Sequence, residues 1–299
     1  MGIFQPDAQK PTTRRRFLKS SLLAAGALAV YSGEIERHWV EETRIDIGLA
    51  GLPAAFEGLR IVQLSDIHMD EFTEPLYLRH VVDKVNRMAP EIVLMTGDFV
   101  SEAPRSKHFA IGAAWQCAEI LDRLECRQRY AVMGNHDVII GAKPVTEALS
   151  SRGIQVLHNT FLPLERDMRG NRGRIWLAGL ADPLVGHPEP DRAIPELIRG
   201  VANEPVLLMC HGPDYVDHLA ADPVGKSIGL VLSGHTHGGQ VRLPGLPPAQ
   251  LPPMGQKYVE GWFRFGAMQL YVNRGIGTVG VPFRLFCPPE ITQITLRKA

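Results

Sequence analysis

Cysteine is scarce: Cys117, Cys126, Cys210 and Cys287 are the four in 299 residues, with no C-x-x-C spacing among them. That excludes a disulfide scaffold and leaves them to be read as small buried hydrophobes. Excess charge is absent too, with 32 Lys plus Arg against 32 Asp plus Glu. A general nucleic-acid binder, which needs a broad basic field, is thereby excluded, and an anionic substrate must be drawn by a local site. There are no internal repeats. What is present is a 45% hydrophobic composition, ample for the core of one large α/β domain or two smaller ones.

The N-terminus is different in kind. Thr13-Arg14-Arg15-Arg16-Phe17-Leu18-Lys19 precedes a small-residue apolar stretch over residues 20–30, too short to span a bilayer comfortably as a helix. The paired arginines followed by Phe-Leu-Lys resemble the twin-arginine export signal, which implies passage of a folded protein across a bacterial inner membrane by the twin-arginine machinery. The resulting location is the periplasm or the outer face of the cytoplasmic membrane. Ala27-Leu28-Ala29 offers a cleavage site; uncleaved, the stretch stays as an anchor. Residues 1–33 are assigned to this signal and residues 34–299 to a single catalytic domain. Export in the folded state suits a protein that acquires metals in the cytoplasm, and it removes any need for disulfides.

Beyond the signal, strands are expected over residues 38–47, 59–66, 91–98 and 129–133, with helices over 75–88, 109–124 and 144–151 between or after them. This β-α-β-α-β series is the pattern of a largely parallel sheet covered by helices. The second half reads as a strand at 154–157, a hairpin over 161–180 turning at Arg169-Gly170-Asn171-Arg172-Gly173, and a helix at 193–199. Strands at 206–210 and 229–233 flank a helix at 215–219, and the tail is mainly β, with strands at 268–273 and 291–296. Two mixed sheets packed face to face with helices outside account for this order, an α/β four-layer αββα sandwich.

Polar clusters recur in a fixed order, most of them where an apolar strand ends: Asp66-Ile67-His68, Gly97-Asp98, Gly134-Asn135-His136-Asp137, Cys210-His211 and Gly234-His235-Thr236-His237. Carboxylate, amide and imidazole are the ligand types that hold pairs of divalent metals. Singly each cluster is unremarkable, since a Gly-Asp at a strand end is commonly a turn and a loop histidine is commonly just hydrogen-bonded. Together they matter, because strand ends at the carboxyl edge of a parallel sheet converge on one crevice. Cys210 precedes His211 on a strand, so its side chain faces away from the ligand side.

The order D-x-H, G-D, G-N-H-D, H and G-H-x-H resembles that of the calcineurin-like metallophosphoesterases, over the chain from Arg60 to His237. Asn273-Arg274-Gly275-Ile276-Gly277 and Pro288-Pro289-Glu290-Ile291 extend the likeness toward the exported bacterial phosphodiesterases of the YaeI and YkuE type. The resemblance implies that Asp66, His68 and His237 bind one metal, that Asn135, His211 and His235 bind the other, and that Asp98 bridges them. Two divalent ions, two aspartates and a bridging hydroxide leave about +1 at the centre, enough to attract a phosphate. The implied reaction is attack of that hydroxide on phosphorus, with His136 protonating the leaving oxygen or stabilising charge and Asp137 orienting its ring.

Phosphodiester or pyrophosphate hydrolysis is favoured through the YaeI-like tail. Rival readings are a pyrophosphatase of lipid-linked nucleotide diphosphates and, in another class, a non-catalytic scaffold of the same fold. Oxygen and nitrogen ligands without thiolate admit Mn, Fe or Zn. Arg274 could clamp phosphate bidentately or sit in a surface ion pair. Residues 243–262, rich in Leu and Pro, leave the metal site directly after His237. They form either a loop packed on its own domain or a lip contacting an acyl chain or a bilayer.

Overall fold

Apolar runs of four to six residues, buried on both faces, build the centre of the molecule, as expected for parallel strands covered on each side. In the computed structural model, which describes residues 12–69, 72–102, 107–168, 170–248 and 250–299, they assemble into two six-stranded mixed sheets. The first holds β1 (Glu41–Leu49), β2 (Arg60–Leu64), β3 (Ile92–Met95), β4 (Arg129–Ala131) and β5 (Gln155–Val156). The second holds β6 (Thr160–Met168), β7 (Asn171–Gly179), β8 (Val206–Met209), β9 (Ile228–Ser233), β10 (Gly261–Phe265) and β11 (Met268–Val272). The last strand, β12 (Glu290–Lys298), returns to the first sheet, giving the orders β1-β12-β2-β3-β4-β5 and β10-β11-β9-β8-β7-β6. β2 to β5 run parallel, as do β7, β8, β9 and β11, so the carboxyl ends of each set share an edge.

The sheets face each other across one apolar layer that includes Ile61, Leu94, Leu177, Leu207, Leu230 and Ile294. A second layer separates the first sheet from α2 (Pro75–Met88), α3 (Lys107–Leu121) and α4 (Asn135–Ser150). A third lies between the second sheet and the short helices α5 (Pro190–Ala193) and α6 (Val216–Ala221). This is the four-layer sandwich expected. Gln63 pins the two sheets near their carboxyl edge, donating through Nε2 to the carbonyl of Ser233 at 2.9 Å.

Helix α2 has the predicted bounds, with Pro75 at its first position and Ala89 closing it in the left-handed region. Two other helices differ from expectation. α4 begins at Asn135 rather than Pro144, and it is interrupted at Gly141 (φ 143°), so Pro144 falls just after a break where its missing N–H is harmless. The helix expected at 193–199 is split by Pro195 into α5 and a 3-10 turn at Glu196–Ile198. The hairpin turn lies where predicted, although Arg169 is outside the described residues. At the front, Thr12–Val30 forms an exposed helix, α1, which passes through a π turn (Tyr31–Ile35) and a 3-10 turn (Glu36–His38) toward β1. No described helix is long and apolar enough to cross a membrane.

Candidate metal centre

Each predicted cluster leaves the carboxyl end of its strand and turns at once, which places the side chains in one crevice at the shared edge. β2 leads to Asp66 and His68, β3 to Asp98, β4 to Asn135, β8 to His211, and β9 to His235 and His237. The turns are sharp enough to force Asp66 (φ 51°), His68 (48°), Asp98 (56°), His235 (73°) and His237 (50°) into the left-handed region. Non-glycine residues adopt that region rarely, and it clusters at functional sites. Glycines make room for this crowding: a Cβ on Gly134 would lie 2.2 Å from Oδ1 of Asp98, and one on Gly234 would lie 2.3 Å from Oδ2 of Asp66. That is why G-N-H-D and G-H-x-H each open on glycine.

The side chains fall into overlapping groups in which the potential ligand atoms lie within 4.8 Å of one another: Asp66, His68 and His237; Asp98, His211 and His235; and His68, Asp98 and His136. In the first group, Nε2 of His68 is 2.9 Å from Nε2 of His237, which is 3.5 Å from Oδ1 of Asp66. In the second, Nε2 of His211 is 3.1 Å from Oδ2 of Asp98 and 3.2 Å from Nδ1 of His235. The same Asp98 oxygen is 3.6 Å from Nε2 of His68, so it stands between the two groups. Asn135 is buried beside them, and its Oδ1 has no hydrogen-bond donor.

The rings are held by contacts on their outer nitrogens. Nδ1 of His211 is 2.6 Å from the carbonyl of Thr96, and Nε2 of His235 is 2.7 Å from the carbonyl of Pro253. In the neutral rings those nitrogens carry the protons, so the facing pair presents two lone pairs across 3.2 Å. Two lone pairs repel, so a cation belongs there: a metal ion or, without one, the proton that the Asp98 carboxylate favours on Nε2 of His211. Nδ1 of His68 meets Oγ of Ser101 at 3.0 Å. Burial drives His68 and His237 well below the ordinary imidazole range, with the Arg284 guanidinium adding to the effect on His237. Both are therefore neutral, the state that ligates metal. Burial opposes ionisation of Asp98, but the charge and hydrogen bond of His211 prevail and hold its carboxyl well below the usual range.

One expectation is corrected, and the alternatives left open at Arg274 are resolved in favour of the ion pair. Asp137 does not orient the His136 ring; its carboxylate accepts backbone N–H groups from Asp98 (2.8 Å), Phe99 (2.9 Å), Val100 (3.3 Å) and Gly134 (3.0 Å). It is the clasp between the loop after β3 and the start of α4. Arg274 is no phosphate clamp: its guanidinium is engaged by Glu290 at 3.1 Å and Glu41 at 2.6 Å, and it does not line the cavity. His136 does line that cavity, which has a volume of about 640 Å³ and is walled by Leu251, Pro252, Pro253, Val279 and Val281.

Sequence reasoning missed Ser101, the carbonyls of Thr96 and Pro253, and the wholly buried Arg284, whose Nη2 lies 3.4 Å from Nδ1 of His237. Ser101 follows Asp98 by three residues and could have been suspected from that. Arg284 carries no such signal, because its neighbours come from the fold.

Two mixed sheets between helices, with carboxylates and imidazoles gathered at their strand ends, define an α/β metallophosphoesterase. The family model for calcineurin-like phosphoesterases matches residues 59–239. The uncharacterized metallophosphoesterase YkuE of Bacillus subtilis is 31% identical over 297 residues, covering 96% of this chain and 99% of that protein. Phosphodiesterase YaeI of Escherichia coli is 30% identical over 291 residues, covering 95% and 99%. The UDP-2,3-diacylglucosamine pyrophosphatase LpxG of Chlamydia trachomatis is 28% identical over 332 aligned positions, covering 91% and 94%. The chain belongs to the calcineurin-like phosphoesterases and is a metal-dependent phosphoric ester hydrolase.

Proposed function

We propose that this enzyme hydrolyses phosphodiester or pyrophosphate bonds with two divalent metals, one held by Asp66, His68 and His237 and the other by Asn135, His211 and His235. The observation that carries this reading is the position of Asp98, whose Oδ2 stands 3.6 Å from His68 and 3.1 Å from His211 and so can serve both groups. The residues fit such ions: Asn135 Oδ1 is a buried acceptor without a donor, a costly arrangement that a cation relieves. Bound there, a metal pair polarises phosphoryl oxygens and supplies a nucleophile from water at neutral pH. Mn, Fe and Zn all suit this donor set.

His136 supplies the proton. Its Nδ1 accepts the backbone N–H of Glu102 at 2.9 Å, leaving Nε2 for the leaving oxygen. Asp137 acts indirectly by fixing the loop that carries Asp98. The diester preference rests on the likeness to YaeI; the likeness to LpxG favours a lipid-linked diphosphate as the second reading. We further read residues 1–33 as a twin-arginine export signal and the remainder as one catalytic domain, working outside the bacterial inner membrane with peripheral membrane contact. Arg14-Arg15-Arg16-Phe17-Leu18-Lys19 and the uncharged stretch after it support this.

Elemental analysis of protein purified from its exporting host, combined with turnover of a chromogenic diester, tests the assignment. About two metals per chain and turnover abolished by a chelator are expected. A fully metallated protein without turnover would make it a scaffold.

A further inference from the structure

We propose that α1 is a permanent part of the mature enzyme, forming with the rim of the cavity a single bilayer-docking face that serves a phosphoester carried on a lipid. This rests on the phosphoesterase reading above and names its substrate class.

The helix joins the catalytic body with no free linker. The carbonyl of Ser32 accepts the N–H of Arg284 at 3.0 Å, and Glu36 Oε1 accepts the N–H of Cys287 at 2.6 Å. A Cβ on Gly33 would stand 3.0 Å from the Phe283 ring, so the backbone there lies against it. Arg37 donates to the carbonyl of Phe72 at 2.9 Å and to Glu74 at 2.7 Å. These anchors grip the segment that also backs the metal centre, because Cys287 Sγ meets the carbonyl of His237 at 3.3 Å. Ala27-Leu28-Ala29 lies in the last turn of the helix, directly before this anchored segment.

No described part of the protein covers α1: Phe17, Leu22 and Leu23 are 69%, 76% and 75% exposed. The helix carries Arg14, Arg15, Arg16 and Lys19 and no acidic residue. Bare apolar side chains beside a run of cations match an anionic lipid surface better than water. Nineteen residues make a helix about 28 Å long, with its cations gathered in the first two turns and its apolar side chains following them.

The apolar surface continues from the helix to the cavity mouth. Ala29 and Val30 share with Pro282 and Phe283 a surface depression that Glu34 and Arg37 also line, and just upstream Val279 and Val281 line the metal-site cavity. Val281 and Phe286 are 47% and 55% exposed, and the bridge from Val241 to Leu285 brings exposed Leu243 alongside. Among the described residues no lysine, arginine, phenylalanine, tyrosine or tryptophan lines the cavity. It therefore offers no cation for additional phosphates and none of those rings on which a base would stack. Its Leu251, Pro252, Pro253 and Leu184 walls suit hydrocarbon.

The test uses the full-length, metal-loaded protein and its Leu22→Gln/Leu23→Gln/Phe286→Gln variant. Readouts are flotation with phosphatidylcholine–phosphatidylglycerol vesicles, hydrolysis of the phosphatidylglycerol in them, and hydrolysis of a soluble chromogenic diester. Wild type should float and cleave the lipid; the variant should lose about tenfold or more on both counts while keeping its rate on the soluble diester. An intact mass of exported wild type that begins after residue 29 would overturn the proposal. So would wild type that turns over the soluble diester but neither floats nor cleaves the lipid, or that covers this face by dimerising in sedimentation. Failure on the soluble diester itself would instead overturn the phosphoesterase reading, with flotation still deciding the docking face.

Discussion

The backbone N–H of Glu102 and Nδ1 of His136 meet at 2.9 Å, which makes the neutral imidazole an Nε2–H tautomer. The ring is further steadied edge-on against His68, centroid to centroid 4.9 Å. His136→Ala should therefore keep both metals and lower turnover by roughly 10²- to 10⁴-fold, the range for a lost general acid. Asp66→Asn should by contrast lose metal along with activity. Elemental analysis of the two variants separates the roles, and metal loss from the His136 variant would move that residue among the ligands.

Metal uptake should release protons. Burial lowers the affinity of His211 for a proton, but the charge and hydrogen bond of Asp98 outweigh it and raise the ring well above the ordinary imidazole range. The metal-free ring is thus protonated at neutral pH, and ligation through Nε2 displaces that proton. Calorimetric titration in buffers of different ionisation enthalpy should show about one proton released at this site, with apparent affinity falling as pH drops. Uptake without proton release would exclude His211 as a ligand.

Arg274→Ala should damage the fold rather than the reaction. It removes the guanidinium paired with Glu290, whose side chain is only 2% exposed, and leaves a buried carboxylate held by the Tyr271 and Thr292 hydroxyls without its counter-charge. A loss of about 3 kcal/mol is expected, read from denaturant midpoints, with the KM for a small diester little changed. A raised KM at unchanged stability would restore the phosphate-clamp reading.

Replacing Arg14 and Arg15 together by lysine should leave a folded, metal-loaded enzyme in the cytoplasm, because the export machinery reads the guanidinium pair as an address. Cell fractionation with an activity assay tests this. Normal export of the double variant would point to the general secretory route.

Much of the site was legible because its ligands are local to strand ends, and a strand end is marked by a hydrophobic run stopping at Gly-Asp or Gly-Asn. The strands and α2 were legible for the same reason, being set by periodicity and by Pro75. α4 was misjudged because Pro144 looks like a start, whereas the helix is nucleated at Asn135 by a clasp to the loop after Asp98, a contact between segments far apart in sequence. Asp137 was misassigned in function, and Arg274 was left between two roles, on the same account. Their chemistry suits a reaction, but their partners, four backbone amides and three glutamates, are supplied by tertiary structure alone.

The left-handed backbone at Asp66, His68, Asp98, His235 and His237 has a consequence for how much of this protein a cell can hold. Each such residue stores on the order of 1–3 kcal/mol of strain, which the surrounding sheets must hold in check. A ligand that binds only the folded state offsets that strain by mass action. Metal supply would then set the abundance of the folded chain as well as its activity, and starvation for metal would appear first as turnover of the protein by proteases.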